Sequence, residues 1–399
     1  MTGSIPGGRR LRDRWHPDLV DAPVAAPNLR MLVFEALERF GKSDTWERIL
    51  RRNAIFQQEA LNRLSAFSSQ LPAANCQLPT LFSYSYAALD LFRFAKSRGW
   101  QTVLGQIDPG PEEERIVVEE HRRYAHLKSA WQPAPKSYWD SWREEIRLAD
   151  RIIVNSEWSR ECLIKEGVPG EKIEVIPLVY RDNAECLNTK DESYAETQRR
   201  GPEDSNLESD QALAPRHSTL VNFSPPSTPN RPLRLLFLGQ INLRKGVGRL
   251  LDAMRILKDE PVELTLVGPS DLDPSPWADL SNVRWFGPVP RSNVGRHYSE
   301  ADAFILPTLS DGFALTQLEA QSHGLPLIAS KFCGHVVNNE INGMLLESLE
   351  PEDLAKAIRK FATSPERFRS GIGPASFTLE DLAGMVNRPV VTSPTSPNK

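Results

Sequence analysis

Two rhythms of apolar and polar positions alternate along the second half of the chain. "LRLLFLG" (233–239) is a short apolar run ending in glycine, as a strand buried in a parallel sheet reads. Val247, Leu250, Leu251, Met254 and Leu257 then recur at the spacing of one helix face. Further strands are predicted at "VELTLVG", "VRWFG", "DAFILP", "LPLIAS" and "GMLLE". Helices are predicted at "RSNVGRHYSEA", at the segment carrying Glu319 and at "PEDLAKAIRKFA". Strand and helix in turn predict a parallel sheet covered by helices on both faces, because a parallel connection needs a crossover to bring the chain back.

The same grammar holds from Pro79 onward. "TLFSYS" reads as a strand, and the next helix puts Ala88, Leu91, Phe92 and Ala95 on one face before stopping at Gly99. "QTVLGQ", "RIIVNS" and "KIEVIP" are strands, with Ser156 placed to cap a helix that Gly167 ends. Trp139, Trp142, Ile146 and Ala149 stand at helical spacing, which predicts a buried helix face rather than a sugar-stacking platform. Residues 1–78 read differently. Helices are predicted over about 31–40 and 46–67, but no opening strand leads into a glycine loop, and "GSIPGG" has no strand before it.

From Asp182 to Asn230 the chain is polar, rich in Ser, Pro and acidic residues, and without period. Such a stretch buries too little apolar surface to offset its ordering entropy and predicts a disordered linker or insertion; residues 390–399 predict a frayed tail. The chain of 399 residues therefore divides into a domain over 1–181 with a divergent start at 1–78, a linker at 182–230, a second domain at 231–389, and the tail.

Composition narrows the function. A net charge of -4 lacks the basic excess expected of a nucleic-acid binder. Cys76, Cys162, Cys186 and Cys333 stand far apart, at neither metal-ligand nor redox spacing, and read as reduced thiols of a cytoplasmic protein. No signal-peptide pattern and no apolar run of membrane-spanning length is visible; Arg9, Arg10, Arg12 and Arg14 are compatible with peripheral contact to anionic lipid, though a solvated terminus accounts for them as well.

The candidate chemistry sits in "LSDGFALTQLEAQSHGLPLIASKFCG" (309–334). A helix starting near Gly312 would leave the amides of Phe313, Ala314 and Leu315 free at a strand's C-terminal end, where open α/β sheets bind phosphates. Gly312 permits close approach of a ligand to backbone. Glu319, set between Leu318 and Ala320, would be costly to bury alone and makes sense as a carboxylate accepting from the vicinal hydroxyls of a ribose. In "FLGQINLRKGVGRLL", Lys245 and Gly246 follow the first strand of this half, where a cation meets the other side of a pyrophosphate.

With these residues in place, the second half resembles the donor domain of glycosyltransferase family 4. The family carries two glutamates separated by seven residues in a setting like this chain's "DGFALTQLEAQSHGLPLIAS". "ADRIIVNSEWSRECLIKEGVPGEKIEVIPLVY" and "VVNNEINGMLLESLEPEDLAKAI" resemble the family as well, so the likeness covers about 79–181 and 231–380. It implies two Rossmann-like domains facing a cleft, the GT-B architecture, with an N-terminal acceptor-side sheet incomplete at 1–78. It also implies transfer of a sugar from a nucleotide-diphosphate sugar to a glycan or lipid-linked acceptor, with retention, without metal and with no cofactor beyond that co-substrate. On this likeness Glu319 binds the donor ribose and Asp311 the hydroxyls of the transferred sugar. Lys245 and the amides of Phe313, Ala314 and Leu315 hold the diphosphate, Gly239 and Gln240 complete the donor site, and Asp108 in "QIDPGPEEE" is the nearest candidate on the acceptor side, where a turn-forming Asp before Pro109 is the other reading. Two residues depart from the pattern: Asp311 stands where a glutamate is common, and Gln240 where an arginine is common.

Other features favour bland readings. The "DLD" of Asp271–Asp273 lies in a loop of the donor half, "EEE" at 112–114 reads as a solvated helix start, and His323 and His335 as packing or surface residues. Two rival functions stay open: a catalytically impaired nucleotide-sugar-binding or interaction protein, and a nucleotide-sugar epimerase on the same architecture.

Overall fold

The computed structural model describes residues 28–38, 45–69, 79–127, 129–179 and 231–372. The expected linker at 182–230, the tail at 390–399, "GSIPGG" and the Arg9–Arg14 cluster lie outside these residues. Up to residue 179 the elements are α1 (Asn28–Glu38), α2 (Thr45–Ser68), β1 (Thr80–Tyr84), α3 (Leu89–Lys96), β2 (Gln101–Gln106), α4 (Pro111–Arg123), α5 (Lys136–Leu148), β3 (Arg151–Val154), α6 (Glu157–Lys165) and β4 (Ile173–Val175). From residue 231 they are β5 (Leu233–Leu238), α7 (Val247–Ile256), β6 (Val262–Val267), β7 (Val283–Trp285), α8 (Arg291–Glu300), β8 (Ala303–Leu306), α9 (Thr316–Ser322), β9 (Leu327–Ser330), β10 (Gly343–Leu346), α10 (Pro351–Ala362) and α11 (Pro365–Arg369).

The strands form two sheets, one in the order β1-β2-β3-β4 and the other in the order β10-β9-β8-β5-β6-β7. Every pair of resolved register is parallel. In the six-stranded sheet the chain winds outward one way through β6 and β7 and the other way through β8 to β10. The order therefore reverses between β5 and β8, and the crevice beyond their C-terminal ends is where doubly wound sheets hold ligands. The first sheet follows chain order without reversal, and before β1 the described residues supply two helices and no strand.

The chain falls into two compact units. One comprises residues to Leu104 together with Ala134–Asp150; the other comprises Gly105–Pro133 and the chain from Arg151 onward. In the first, Leu91, Phe92 and Ala95 of α3 are buried with Ala88 just before it, the face that helical spacing predicts. On α5 Trp142 and Ile146 are buried with Ala149 just beyond it, but Trp139, expected on the same face, is only half-buried. Glu145 is buried among them. Its carboxylate accepts from the backbone N–H groups of Tyr86 (2.7 Å), Ala88 (2.8 Å) and Leu89 (3.0 Å), so it caps the start of α3 from another helix. Burial pushes this carboxyl up to about 7 although those three donors pull the other way.

In the second unit the fully buried strands β8 and β9 lie at the centre of one core with Leu235, Leu236 and Phe237 of β5. Val247, Leu250, Leu251 and Met254 of α7 pack onto it, as do Leu354, Ala355, Ile358 and Phe361 of α10. Helix α4 joins this core through Tyr124 and Leu127. The Tyr124 hydroxyl donates to Asp252 (2.8 Å), and Arg249 of α7 forks onto the buried carboxylate of Glu120. Arg249 and Arg123 both reach Glu350 at the start of α10. Ser156 caps α6 by accepting from the Ser159 amide (3.1 Å), and Gly167, with φ of 85°, follows its end, both as expected.

Candidate functional site

Loops leaving β2, β5, β8 and β9 converge beyond the switch point of the six-stranded sheet. They fit together because backbone meets backbone at glycines. A Cβ on Gly246 would lie 1.9 Å from the Pro307 carbonyl oxygen, and one on Gly312 would lie 1.9 Å from that of Ile107. A side chain at either position would force the loops apart. The Leu309 amide donates to the Arg244 carbonyl (2.9 Å), the Asp311 amide to Phe332 (3.0 Å) and the Gly334 amide to Phe313 (3.0 Å).

Within this frame the Lys245 ammonium pairs directly with the Asp311 carboxylate, and both side chains are largely buried. The Lys245 amide donates to Asn242 Oδ1 (3.0 Å), which fixes the turn before α7. Arg244 stands beside it: Nη1 donates to the Ser310 carbonyl (3.2 Å) and lies 3.6 Å from Asp311 Oδ2. Burial pushes the Asp311 carboxyl up, but Lys245 and Arg244 outweigh it and hold the group below its usual range. Asp311 is therefore a charged carboxylate at neutral pH.

The helix expected to start near Gly312 starts at Thr316. The cause is local. Asp311 Oδ1 captures the Phe313 amide (3.2 Å), and Ala314 takes a left-handed conformation, φ 66°, that no helix accepts. Of the three amides expected at a helix mouth, that of Phe313 is thus engaged by Asp311, while Ala314 and Leu315 lie in the turn before α9. Leu315 is exposed, and the Phe313 ring packs against Gly334.

Glu319 is half-buried on α9 and accepts from the Tyr298 hydroxyl (3.0 Å) of α8. His323 stacks on the Tyr298 ring at 4.8 Å and 14°. Gly239 sits at the end of β5 with φ of 149°, its carbonyl against Gly268; Gln240 is exposed and donates to Asp271 (2.7 Å). Asp108 performs a turn role: Oδ1 accepts from the Gly110 amide (2.8 Å) and from Gln106 (2.9 Å). Its backbone nevertheless lies against Gly312, so it borders the Lys245–Asp311 pair. The structure thus gathers Asp108, Lys245, Asp311, Gly312 and Phe313. Glu319 stands two turns along α9 with Tyr298, and Gly239 and Gln240 stand at the neighbouring strand end.

Three residues that sequence reading passed over belong to this cluster. Glu113, expected in a solvated helix start, is turned inward from α4 toward Ser310, with Arg244 at 3.6 Å. Its Oε2 is buried without a hydrogen-bond partner. Burial pushes the carboxyl up to about 7, and Asp108 and Asp311 push the same way. Arg244 is the second, and Trp158 the third; the indole Nε1 donates to Ser310 Oγ (3.1 Å). Cys162 and Cys333 are free and buried, and burial pushes both thiols up to about 12, which leaves them neutral. Among the described residues no group of His, Cys, Asp and Glu is gathered to hold a metal ion, and no helix is long and apolar enough to cross a membrane.

This arrangement has relatives. A family model described as "Glycosyl transferases group 1" matches residues 232–364, and one described as "Glycosyltransferase Family 4" matches 111–179. The amylovoran biosynthesis glycosyltransferase AmsK of Erwinia amylovora is 27% identical over 149 residues, 33% of this chain and 37% of that protein. A D-inositol 3-phosphate glycosyltransferase of Thermobifida fusca is 28% identical over 166 residues, 37% of this chain and 38% of that protein. The chain thus spans well under half the length of these two relatives. Among solved structures, HepE of Anabaena in complex with UDP superposes with a TM-score of 0.51 at 15% identity, over 77% of each chain. The sucrose-phosphate synthase of Thermosynechococcus elongatus superposes with 0.54 at 18% identity, over 86% of this chain and 78% of that one. With both family models matching in chain order and these structures superposing over most of the chain, the protein belongs to glycosyltransferase family 4 and has the GT-B fold.

Proposed function

We propose that this protein transfers a sugar from a nucleoside-diphosphate sugar to a glycan or lipid-linked acceptor, with retention and without a metal ion. The reading rests on the placement of Lys245, with Asp311 and Gly312, beyond the C-terminal ends of β5 and β8, where the sheet order reverses. Lys245 neutralises charge that builds on the diphosphate as the glycosidic bond breaks. Arg244 adds a second cation close to it, which offsets the missing charge at Gln240. Asp311 meets the sugar hydroxyls, and Glu319, oriented by Tyr298, accepts from the ribose. Asp108 borders the sugar from the β2–α4 loop. AmsK and the D-inositol 3-phosphate enzyme are glycosyltransferases, and HepE was solved with UDP, which favours a uridine donor. Work in the cytoplasm, with contact to a lipid-linked acceptor at a membrane surface, fits an acceptor of that class.

Lys245→Ala tests the reading. With UDP-glucose and GDP-mannose as donors, release of nucleoside diphosphate should fall by about 100- to 1,000-fold in kcat, the cost of removing one group that stabilises transition-state charge. Chelation by EDTA should leave the wild-type rate unchanged. Binding of these donors without turnover would point instead to a nucleotide-sugar-binding protein, and recovery of an isomeric donor to an epimerase.

A further inference from the structure

We propose that Glu113 is a proton-carrying positioning residue of the donor site, holding Arg244 beside Asp311 and taking up a proton when a diphosphate sugar binds. The inference rests on the donor site proposed above and adds a residue and a linkage to it.

Charge and geometry carry the argument. Three carboxyls, Asp108, Glu113 and Asp311, face two cations, Lys245 and Arg244, inside one cluster of loops. Arg244 Nη1 bridges two of those acids at 3.6 Å each and is anchored on the Ser310 carbonyl. With every acid ionised the cluster carries one negative charge too many, and a diphosphate would bring two more. The cluster takes such an anion more readily if one carboxyl becomes neutral.

Glu113 is the group suited to that change. Asp311 has two cations holding it ionised, and Asp108 has the Gly110 amide and the Gln106 side chain on one oxygen. Glu113 has one cation at a distance, one hydroxyl and one oxygen with no partner. The groups facing it are Asp108 from the β2–α4 loop, Arg244 from the β5–α7 loop, and Asp311 and Ser310 from the β8–α9 loop, with Cys162 from α6. The Cys162 thiol stays neutral throughout. Near neutral pH the ligand-free protein therefore divides between protonated and ionised Glu113, and an arriving anion shifts that balance toward the protonated form.

The sign follows from linkage. Below about pH 6 Glu113 already carries its proton, and affinity is independent of pH. As pH rises above 7 each binding event must capture a proton, so the Kd of the donor rises by up to about tenfold per pH unit. UDP-glucose is the probe, because its diphosphate is a diester that does not titrate in this range. Calorimetry in buffers of different ionisation enthalpy should show proton uptake at pH 8, and Glu113→Gln should abolish both the uptake and the rise in Kd. In the ligand-free wild type, infrared difference spectra between pH 6 and 8 should show two titrating buried carboxyls, Glu145 and Glu113, and Glu113→Gln should remove one of them. Binding without proton uptake, uptake unchanged in the variant, or a carboxyl titration that Glu113→Gln leaves undiminished would each overturn the inference while leaving the donor site standing. Failure of the wild type to bind UDP-glucose or GDP-mannose at any pH would instead remove the donor reading, and this inference with it.

Discussion

Glu319 and Lys245 both belong to the proposed donor site, yet their removal should leave different kinetic signatures. Lys245 acts where charge changes during the reaction, so its loss appears in kcat. Glu319 holds a ribose whose charge does not change, so Glu319→Ala should raise KM by about 10- to 100-fold with kcat little altered, as loss of uniform binding does. Tyr298→Phe removes the hydroxyl that orients Glu319 at 3.0 Å and should raise KM by a smaller factor. A steady-state series with a fixed acceptor reads both. An equal fall of kcat in Glu319→Ala would place that carboxylate at the reacting centre instead.

At the level of elements, β5 and β8 form the pair on which the site is built, and Asp302 ties their starts together. It accepts from Arg231 at 2.6 and 2.7 Å and from the Arg234 amide at 2.9 Å, with Arg369 at 3.6 Å. Burial pushes the Asp302 carboxyl up, but the two arginines outweigh it and bring it down to about 2. An acid depressed in the folded state stabilises the fold above its unfolded value and loses that effect as pH falls through the folded one. Asp302 thus contributes about 2 kcal/mol at pH 7, lost between about pH 4 and 2. Asp302→Asn should lower stability to urea by that amount at pH 7 and by almost nothing at pH 2. The elements themselves were readable from sequence because β8 is an unbroken apolar run, β5 and β9 are apolar apart from Arg234 and Ser330, and α7 and α10 keep helical spacing. Two features were not. Alanine at positive φ has no sequence signature, so the late start of α9 after Ala314 stayed hidden. Glu113 looked solvated among three glutamates, although its spacing to Val117 and Glu120 sets it on the inward face of α4, a signal that was present and passed over.

On the scale of the whole molecule, the compact units do not follow the order of the chain. Helix α4 comes before α5 in sequence, yet Tyr124 and Leu127 lie in the core built by the six-stranded sheet. Glu120 explains the strength of that attachment. It is 2% exposed and Arg249 forks onto both its oxygens, so Arg249→Ala should destabilise the second unit by about 3–5 kcal/mol, the cost of leaving a buried carboxylate alone. Thermal unfolding followed by calorimetry would show the loss. A practical consequence concerns dissection. Cutting at the polar stretch near residue 230, where a reader of the sequence would divide the gene, strips the downstream fragment of α4 and uncovers the ring-shaped scar that Tyr124 had closed over Gly248. Expressed alone, residues 231–399 should aggregate or bind a hydrophobic dye, and a permuted gene that restores 105–133 and 151–179 to the same polypeptide should cure both defects.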